Sequence, residues 1–401
     1  MPNERHITLP KGFVAAGVKC GIKTSGLEDL SILAAQRRVP AAVLTTRNQV
    51  VGAPVTWCRG LLPRGFGRMR AIVVNSGNSN VCTGPGGLRD AREMAERTAR
   101  VLNAEPETVL VASTGVIGHR LPMAKIRAGI DSAAASLGVG CDAAALRGIM
   151  TTDTRRKSAV VKARIGRTEF ALAGIAKGVG MIAPSLATMI SLITTDLAVA
   201  PAGLHSALKA VAGRTFNAVT VDSDTSTSDT VAMFASGAAG NAPLGPGSAG
   251  FGKFAAALED VCGSLARQIV ADGEGATKLV EVTVRGARTQ ADAEIAARSV
   301  ANSPLFKCAV NGGDPNWGRI AMALGKSAAK VDPARLTVKV GGVTLMAKGL
   351  PRKFDLKAVA RHLAGKEIRV LCDLGLGEGA YTALTCDLSR EYVAINADYR
   401  T

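Results

Sequence analysis

The residue that most strongly suggests chemistry is Thr188, which lies among small residues in the stretch from Lys177 to Asp196. A threonine hydroxyl is a weak nucleophile at its free pKa and needs a base beside it. If the chain is cut between Ala187 and Thr188, the new α-amine, with a free pKa of about 7.7–8.0, can take that proton. The stretch therefore indicates an N-terminal nucleophile. By itself, a threonine in an apolar run is more typical of a buried hydroxyl bonded to a backbone carbonyl.

Four other blocks combine glycine with short polar side chains. They are residues 75–80 (NSGNSN), 113–118 (STGVIG), 220–229 (TVDSDTSTSD) and 311–319 (NGGDPNWGR). Small residues that follow a strand let backbone amides face a ligand, and such amides can form an oxyanion hole. Each block alone is also typical of a turn.

The elements that must position these blocks alternate between β-type runs and alanine-rich helical patterns. Strands are predicted at residues 71–74, 108–112, 281–284, 336–340 and 368–371. Helices are predicted at residues 87–102, 122–137, 204–213, 250–272 and 292–301. This alternation predicts mixed α/β layers.

The length of 401 residues exceeds that at which one hydrophobic core usually stops growing. We therefore expect closely associated domains, with a catalytic part at residues 1–285 and a C-terminal part at 286–401. Residues 237–252, rich in Gly, Ala, Pro and Ser, are predicted to form a surface loop.

The charge of +17 raises the question of nucleic-acid binding. That function usually needs basic residues gathered on one stripe, often with aromatics for stacking, and only 3% of this chain is aromatic. Because Lys and Arg are scattered, a diffuse positive field that attracts small anionic substrates fits better. We expect no nucleic-acid partner.

The eight cysteines include no C-x-x-C pair, which argues against a zinc site or a disulfide scaffold. No secretory signal is visible, and the apolar run at residues 181–200 is interrupted by Pro184, three threonines and Asp196. We expect a cytoplasmic enzyme with no membrane association, in which this run is a buried element.

Taken together, eight blocks match one family in the same order. They are residues 9–23, 75–84, 113–118, 176–189, 216–230, 272–278, 302–320 and 392–401. On these blocks the chain closely resembles the ornithine acetyltransferase family, also called glutamate N-acetyltransferase or ArgJ. The resemblance implies a four-layer αββα core of the N-terminal-nucleophile type with a smaller C-terminal α/β domain.

The resemblance also implies self-cleavage between Ala187 and Thr188, into an alpha fragment of residues 1–187 and a beta fragment of residues 188–401. Thr188 would be the nucleophile, and Thr114 and Gly115 would form the oxyanion hole. The positions that match substrate-binding residues of the family are Thr151, Lys177, Thr188, Glu274, Asn396 and Thr401.

Charge suggests two pairings within that set: Lys177 with a substrate carboxylate and Glu274 with the ornithine ammonium. Without the resemblance, Lys177 and Glu274 would be taken for surface charges, Thr151 for a helix cap or turn, and the chain end for a frayed tail. His119 is assigned no role, because the Thr188 amine makes a second base unnecessary.

The implied reaction moves an acetyl group from N-acetylornithine to glutamate through an acetyl ester on Thr188, giving ornithine and N-acetylglutamate. No cofactor or metal is needed, and acetyl-CoA is an open second donor. The fragments would form an alpha2-beta2 heterotetramer. The alternatives are a hydrolase or aminopeptidase of the same fold and an uncleaved basic nucleic-acid-binding protein.

Some positions depart from the common family pattern. Ser185, Ser223 and Ser228 replace common Asn, Gly and Asn, and Leu384-Thr385 stands where Trp-Gly is common. None removes a proposed catalytic group, but they leave the substrate scope open.

Overall fold

The computed structural model describes residues 6–183 and 189–398, which form fourteen strands and eleven α-helices. The strands are β1 (Phe13–Val18), β2 (Leu30–Thr45), β3 (Phe66–Asn78), β4 (Val109–Val116), β5 (Lys157–Ile165), β6 (Thr168–Lys177), β7 (Ile190–Thr195), β8 (Thr230–Ala235), β9 (Leu279–Ala287), β10 (Thr337–Val340), β11 (Val343–Ala347), β12 (Leu350–Pro351), β13 (Glu367–Asp373) and β14 (Gly379–Cys386). The helices are α1 (Ala53–Leu61), α2 (Gly84–Val101), α3 (Met123–Ala135), α4 (Asp142–Ile149), α5 (Pro201–Arg214), α6 (Phe251–Ala271), α7 (Gln290–Ala301), α8 (Pro304–Gly312), α9 (Trp317–Gly325), α10 (Leu356–Leu363) and α11 (Arg390–Asp398).

Eight strands form one sheet in the order β4-β3-β2-β8-β7-β6-β5, with β1 paired to β2. The long strand β2 joins the two halves of this sheet. On one edge it pairs with β3, with a register shift between Ala34 and Val39. On its other edge it pairs first with β1 and then, from Ala41, with β8.

The two halves of this sheet pack face to face, as the alternation of side chains along the strands shows. Ile72 of β3 and Leu192 of β7 belong to one buried cluster between the halves. The next residue along each strand points away from that cluster: Val73 packs with α2 and α3, and Ile193 packs with α5 and α6. The layers are therefore helix, sheet, sheet, helix, and the predicted αββα class is confirmed.

The six-stranded sheet has the order β12-β11-β10-β13-β9-β14. Helices α7 to α10 share one apolar cluster with its buried side chains. Thr289 precedes helix α7, and its side chain accepts a hydrogen bond from the Asp292 N–H at 3.0 Å and so caps the first turn. The change from one sheet to the other lies between α6 and β9, whereas the boundary predicted at residue 285 falls inside β9. The division of the chain into domains stays a prediction.

The predicted strands and helices are all present, with ends shifted by a few residues. The apolar run at residues 181–200 contains the buried strand β7, as predicted. In the described part of the chain, no helix is both long enough and apolar enough to cross a membrane.

Candidate active site

A cavity of about 430 Å³ lies where several chain segments meet. Its walls come from the end of β4, the end of β6, the loop after α4, the loop before β8, the turn after α6 and one face of α11. Among the described residues it is lined by Ser79, Thr114, Gly115, Ile117, Thr151, Thr152, Lys177, Gly180, Met181, Asp222, Asp224, Thr225, Ser226, Thr227, Ser228, Glu274, Tyr392 and Asn396. This volume is in the range of small-molecule sites.

The oxyanion-hole candidates lie at the end of β4, beside the end of β3. Gly115 has φ +130°, and a Cβ placed there would lie 2.3 Å from the carbonyl carbon of Gly77. Both observations demand glycine, because an L-side chain would be strained and would collide with the neighbouring backbone. The close approach of the two strands therefore fixes the position of the adjacent Thr114.

The polar block at residues 75–80 supports the end of β4 through hydrogen bonds. The Asn75 side chain donates to the Asn78 carbonyl at 2.8 Å and accepts from the Ser113 hydroxyl at 2.6 Å. The Ser79 hydroxyl donates to the Val116 carbonyl at 2.8 Å. These buried hydrogen bonds hold the β4 end in place, so most of the block serves positioning, and Ser79 also faces the cavity.

Lys177 ends β6 and is 3% exposed. Its Nζ donates a hydrogen bond to Thr114 Oγ1 at 3.1 Å. Burial lowers the pKa of Lys177 below the ordinary lysine value, and the attraction of Asp153, Asp229 and Glu274 opposes this shift only in part. The cavity thus contains a largely dehydrated cation beside the candidate oxyanion hole.

A buried ion network lies next to this lysine. Lys157 Nζ donates to Asp153 Oδ1 at 2.6 Å and to Asp272 Oδ2 at 2.5 Å. Asp153 also accepts from the Gly178 and Thr151 N–H groups at 2.8 and 3.0 Å. Burial opposes ionisation of Asp153, but Lys157 and Lys177 hold its pKa below the ordinary aspartate value. The network therefore ties the Thr151 loop to the end of β6.

Glu274 lies on the cavity wall with both carboxylate oxygens bonded. Oε1 accepts from the Thr152 hydroxyl and Oε2 from the Asn396 side chain, each at 3.0 Å. A Cβ at Gly180 would lie 2.3 Å from Oε2, so glycine makes room for the carboxylate. These contacts orient one negative charge toward a cavity that also contains the Lys177 cation.

Two aspartates hold the chain on either side of residues 184–188. Asp222 accepts from the Met181 and Ile182 N–H groups at 2.6 and 2.8 Å, and burial raises its pKa to about 6. On the other side, Asp229 Oδ1 accepts from the Met189 N–H at 3.0 Å. The next residue, Ile190, pairs with Lys177 across β7 and β6. Before the predicted cleavage segment, Met181 lines the cavity, and after it Ile190 is paired with Lys177, which lines the cavity.

Six residues predicted from the sequence line this one cavity: Thr114, Gly115, Thr151, Lys177, Glu274 and Asn396. Ala187, Thr188 and Thr401 lie outside the described residues, as does Ser185. His119 is exposed and is absent from the described cavity wall. Of the departures from the family pattern, Ser228 lines the cavity.

Sequence reasoning missed the charged and polar groups that hold these residues. Thr152, Asp153, Lys157, Asp222 and Asp229 received no role, although the two last lie in a block that was singled out. For Asp222 and Asp229, the sequence signal that could have been used is the high density of aspartates at residues 220–229. In the described part of the chain, no group of three or more His, Cys, Asp or Glu could hold a metal ion.

Comparisons with known proteins fit this geometry. The sequence profile of the ArgJ family matches residues 14–401. The arginine biosynthesis bifunctional protein ArgJ of Symbiobacterium thermophilum is 48% identical over 397 residues, covering 98% of each chain. The protein of the same name from Geobacter sulfurreducens is 46% identical, covering 98% of this chain and 99% of its own.

Among solved structures, the arginine biosynthesis bifunctional protein ArgJ from Bacillus halodurans is 39% identical with a TM-score of 0.50. The match covers 51% of this chain and 97% of that one. With a family profile that extends over nearly the whole sequence and relatives at nearly half identity from end to end, this chain belongs to the ArgJ family, as its motifs predicted.

Proposed function

We propose that this chain is a self-processing acetyltransferase of arginine biosynthesis that moves acetyl from N-acetylornithine to glutamate. The observation that carries the proposal is the convergence of Thr114, Gly115, Lys177, Glu274 and Asn396 on one cavity. These residues come from four separate parts of the sequence. The described chain resumes at Met189, one residue after the proposed nucleophile, and the following residue, Ile190, pairs with Lys177 of the cavity wall.

Thr114 is suited to stabilise an oxyanion. Its Oγ1 accepts a hydrogen bond from Lys177, so its own proton is free to be donated toward the cavity. Attack on an acetyl amide makes the carbonyl carbon tetrahedral and places negative charge on its oxygen. A preorganised donor at that oxygen typically contributes about 2.7–4 kcal/mol to the transition state.

Opposite charges on the cavity wall suit an acetylated amino acid. Lys177 would pair with the substrate carboxylate, and Glu274, which Thr152 and Asn396 hold in place, would pair with an ammonium group. Lys177 is buried and Glu274 is partly buried, and ion pairing away from bulk water is stronger than in solution. A hydrolase that used only water as acceptor would have no use for this pair in a second half-reaction.

The proposed chemistry has three stages. First, the Thr188 hydroxyl attacks the Ala187 carbonyl, and water opens the resulting ester to leave residue 187 with a carboxylate and Thr188 with a free amine. Next, Thr188 Oγ attacks the acetyl amide of N-acetylornithine; the amine takes the hydroxyl proton and passes it to departing ornithine. Finally, the glutamate amine attacks the acetyl ester and N-acetylglutamate leaves. About half of this chain matches 97% of the B. halodurans chain. A solved chain of half length is what a fragment of a cut precursor would give, and this supports processing.

The test combines intact mass with an acetyl-transfer assay on the purified protein. We expect two masses, for residues 1–187 and 188–401, and ornithine release that depends on glutamate. Thr188→Ala should stay uncut and inactive, whereas Thr188→Ser keeps a hydroxyl and should still be processed. An active but uncut wild-type protein would overturn the amine-as-base mechanism, and ornithine release without glutamate would favour the hydrolase.

Three narrower points belong to the same proposal. The fragments would assemble as an alpha2-beta2 heterotetramer, which mass photometry of the processed protein tests. The enzyme would act in the cytoplasm. Acetyl-CoA as sole donor, assayed with glutamate, decides whether the chain also makes N-acetylglutamate without acetylornithine.

A further inference from the structure

Asp153 faces the buried ammonium group of Lys177, but no ion pair joins the two side chains among the described residues. The Asp153 side chain is fully buried, in the loop after α4. Its Oδ1 accepts from Lys157 Nζ at 2.6 Å and from the Gly178 N–H at 2.8 Å, and its Oδ2 accepts from the Thr151 N–H at 3.0 Å. Both oxygens are thus occupied by donors other than the Lys177 ammonium.

The buried charges around this aspartate balance only when Lys177 is counted. Lys157 Nζ contacts the carboxylates of both Asp153 and Asp272, and all three side chains are almost fully buried. Two carboxylates against one ammonium leave an excess negative charge, and a buried charge without compensation is costly. Lys177 supplies the fourth charge, and of the acids that attract it Asp153 acts most strongly.

Other charged groups also face Lys177 from the elements packed around it. In the described part of the chain they are Lys157 at the start of β5, Asp229 before β8, Glu274 in the turn after α6 and Lys23 in the loop between β1 and β2. Burial raises the pKa of Asp229 well above the ordinary aspartate value, whereas the pKa of Asp153 is held below it. Since Glu274 is assigned to the ligand's ammonium group, Asp153 is the acid left to compensate Lys177 at neutral pH.

We propose that Asp153 is the positioning residue for Lys177: it anchors the backbone directly after the lysine and supplies the negative charge that keeps the ammonium charged for the substrate carboxylate. Because other donors take both of its oxygens, Asp153 stabilises this charge without occupying the N–H groups that the substrate needs. The inference rests on the proposed function, in which Lys177 binds the carboxylate of N-acetylornithine.

The experiment measures KM for N-acetylornithine against pH in the processed protein, for Asp153→Asn and for a matched variant, Asp196→Asn. Asparagine keeps the shape and one acceptor but removes the charge. Asp196 is also a buried carboxylate that accepts a backbone N–H, from Ala171 at 2.9 Å. Ala171 precedes Lys177 on β6 by about 20 Å of extended strand. The control therefore removes a buried charge far from Lys177.

Loss of the neighbouring negative charge lowers the pH at which Lys177 gives up its proton. We expect the alkaline rise in KM to begin about one pH unit lower in Asp153→Asn than in the wild type, and to stay in place in Asp196→Asn. Asp153→Glu keeps the charge, so its rise should stay at the wild-type pH even if KM is higher throughout. In a Lys177→Arg background, Asp153→Asn should not move the profile, because the guanidinium stays charged.

Lys157→Gln tests the same coupling from the other side, and it serves if Asp153→Asn does not accumulate as a folded protein. Lys157 repels Lys177 and shares the Asp153 oxygen that accepts from Gly178. Without this second cation, the rise in KM should move to higher pH. An unchanged profile, or one that moves to lower pH, would contradict the inference.

Three further results would overturn it. A KM raised by the same factor at every pH in Asp153→Asn makes the aspartate a structural tie only. A shift that persists in the Lys177→Arg background means that another group titrates. An equal shift in Asp196→Asn makes the effect one of net charge.

The proposed function can fail separately from this inference. If the wild type transfers no acetyl group, or if Lys177→Met leaves kcat/KM unchanged, the proposed function fails and the inference fails with it. If the wild type transfers acetyl and depends on Lys177, but the profile of Asp153→Asn is not shifted, the inference alone fails.

Discussion

Two buried lysines, Lys177 in the eight-stranded sheet and Lys307 in a helix packed on the six-stranded sheet, have different kinds of partner. Lys177 ends β6 in the eight-stranded sheet and is 3% exposed; Lys307 in α8, packed on the six-stranded sheet, is 4% exposed. Lys307 Nζ donates to the Val221 carbonyl at 2.5 Å and to Thr385 Oγ1 at 3.1 Å. It lies within the protein and ties the second sheet to the loop that carries Asp222.

Lys177, by contrast, faces the cavity, and the hydrogen bond that the described residues give it goes to Thr114 Oγ1. Lys177 and Lys307 are thus almost equally buried, and they differ in the hydrogen-bond partners of their ammonium groups. A buried cation whose hydrogens are all directed at backbone and side-chain acceptors is a structural tie. A buried lysine that lines a cavity, and whose N–H groups are not all directed at protein acceptors, can bind an anionic ligand.

The largest effect should come from removing the cation on the cavity. Lys177→Met should lower kcat/KM for N-acetylornithine by about 100-fold or more, because the substrate carboxylate then enters a dehydrated site without its partner. Steady-state assays of the processed protein measure this. A change of less than threefold would contradict the pairing and would make Lys177 a structural tie like Lys307.

The second-largest effect should come from removing the Thr114 hydroxyl, which Lys177 contacts. Thr114→Val keeps the shape but removes the donor, and should lower kcat by about 100-fold with little change in KM. Thr114→Ser keeps the hydroxyl and should retain most of the activity. Equal kcat for the valine and serine variants would restrict the oxyanion role to backbone amides.

The lowered pKa of Lys177 predicts a pH dependence of substrate binding. The charged form of Lys177 is lost as pH rises through a pKa below that of ordinary lysine, so KM for N-acetylornithine should rise on the alkaline side. Above that pKa the rise approaches about tenfold per pH unit. Lys177→Arg, which stays charged, should flatten this rise even if its activity is lower. A KM that is independent of pH in the wild type would show that Lys177 does not bind the carboxylate.

These contrasts also show how far the sequence could lead. The strands predicted at residues 71–74 and 108–112, each followed by small polar residues, pointed to mixed α/β layers and to the block that contains Thr114 and Gly115, because period and turn chemistry are local signals. The four-layer class and the oxyanion role of Thr114 and Gly115 came from the family resemblance. The family resemblance supplied Lys177 and Glu274. The network that positions them could not be predicted, since Lys157 and Asp272 are 115 residues apart and meet only through the fold.

The structural lysine should affect stability more than catalysis. Lys307→Met removes the hydrogen bonds to the Val221 carbonyl and Thr385, and should lower the free energy of unfolding by about 1–3 kcal/mol. The loss in kcat/KM should stay well below that of Lys177→Met. Urea unfolding of the processed protein measures the first quantity. Lys326→Met, at an exposed position after α9, is the control and should change stability by less than about 0.5 kcal/mol.

The smallest effect should come from the exposed partner of Glu274. Asn396→Ala removes one of the two side-chain hydrogen bonds that orient the carboxylate, while Thr152 still holds the other oxygen at 3.0 Å. A hydrogen bond of this kind is worth about 1 kcal/mol, so KM for N-acetylornithine should rise about fivefold with kcat nearly constant. Val393→Ala changes an exposed side chain on the same helix and should leave both constants unchanged. If Asn396→Ala lowered kcat as strongly as Thr114→Val, α11 would have to act on the reacting atoms, and not through Glu274 as the geometry indicates.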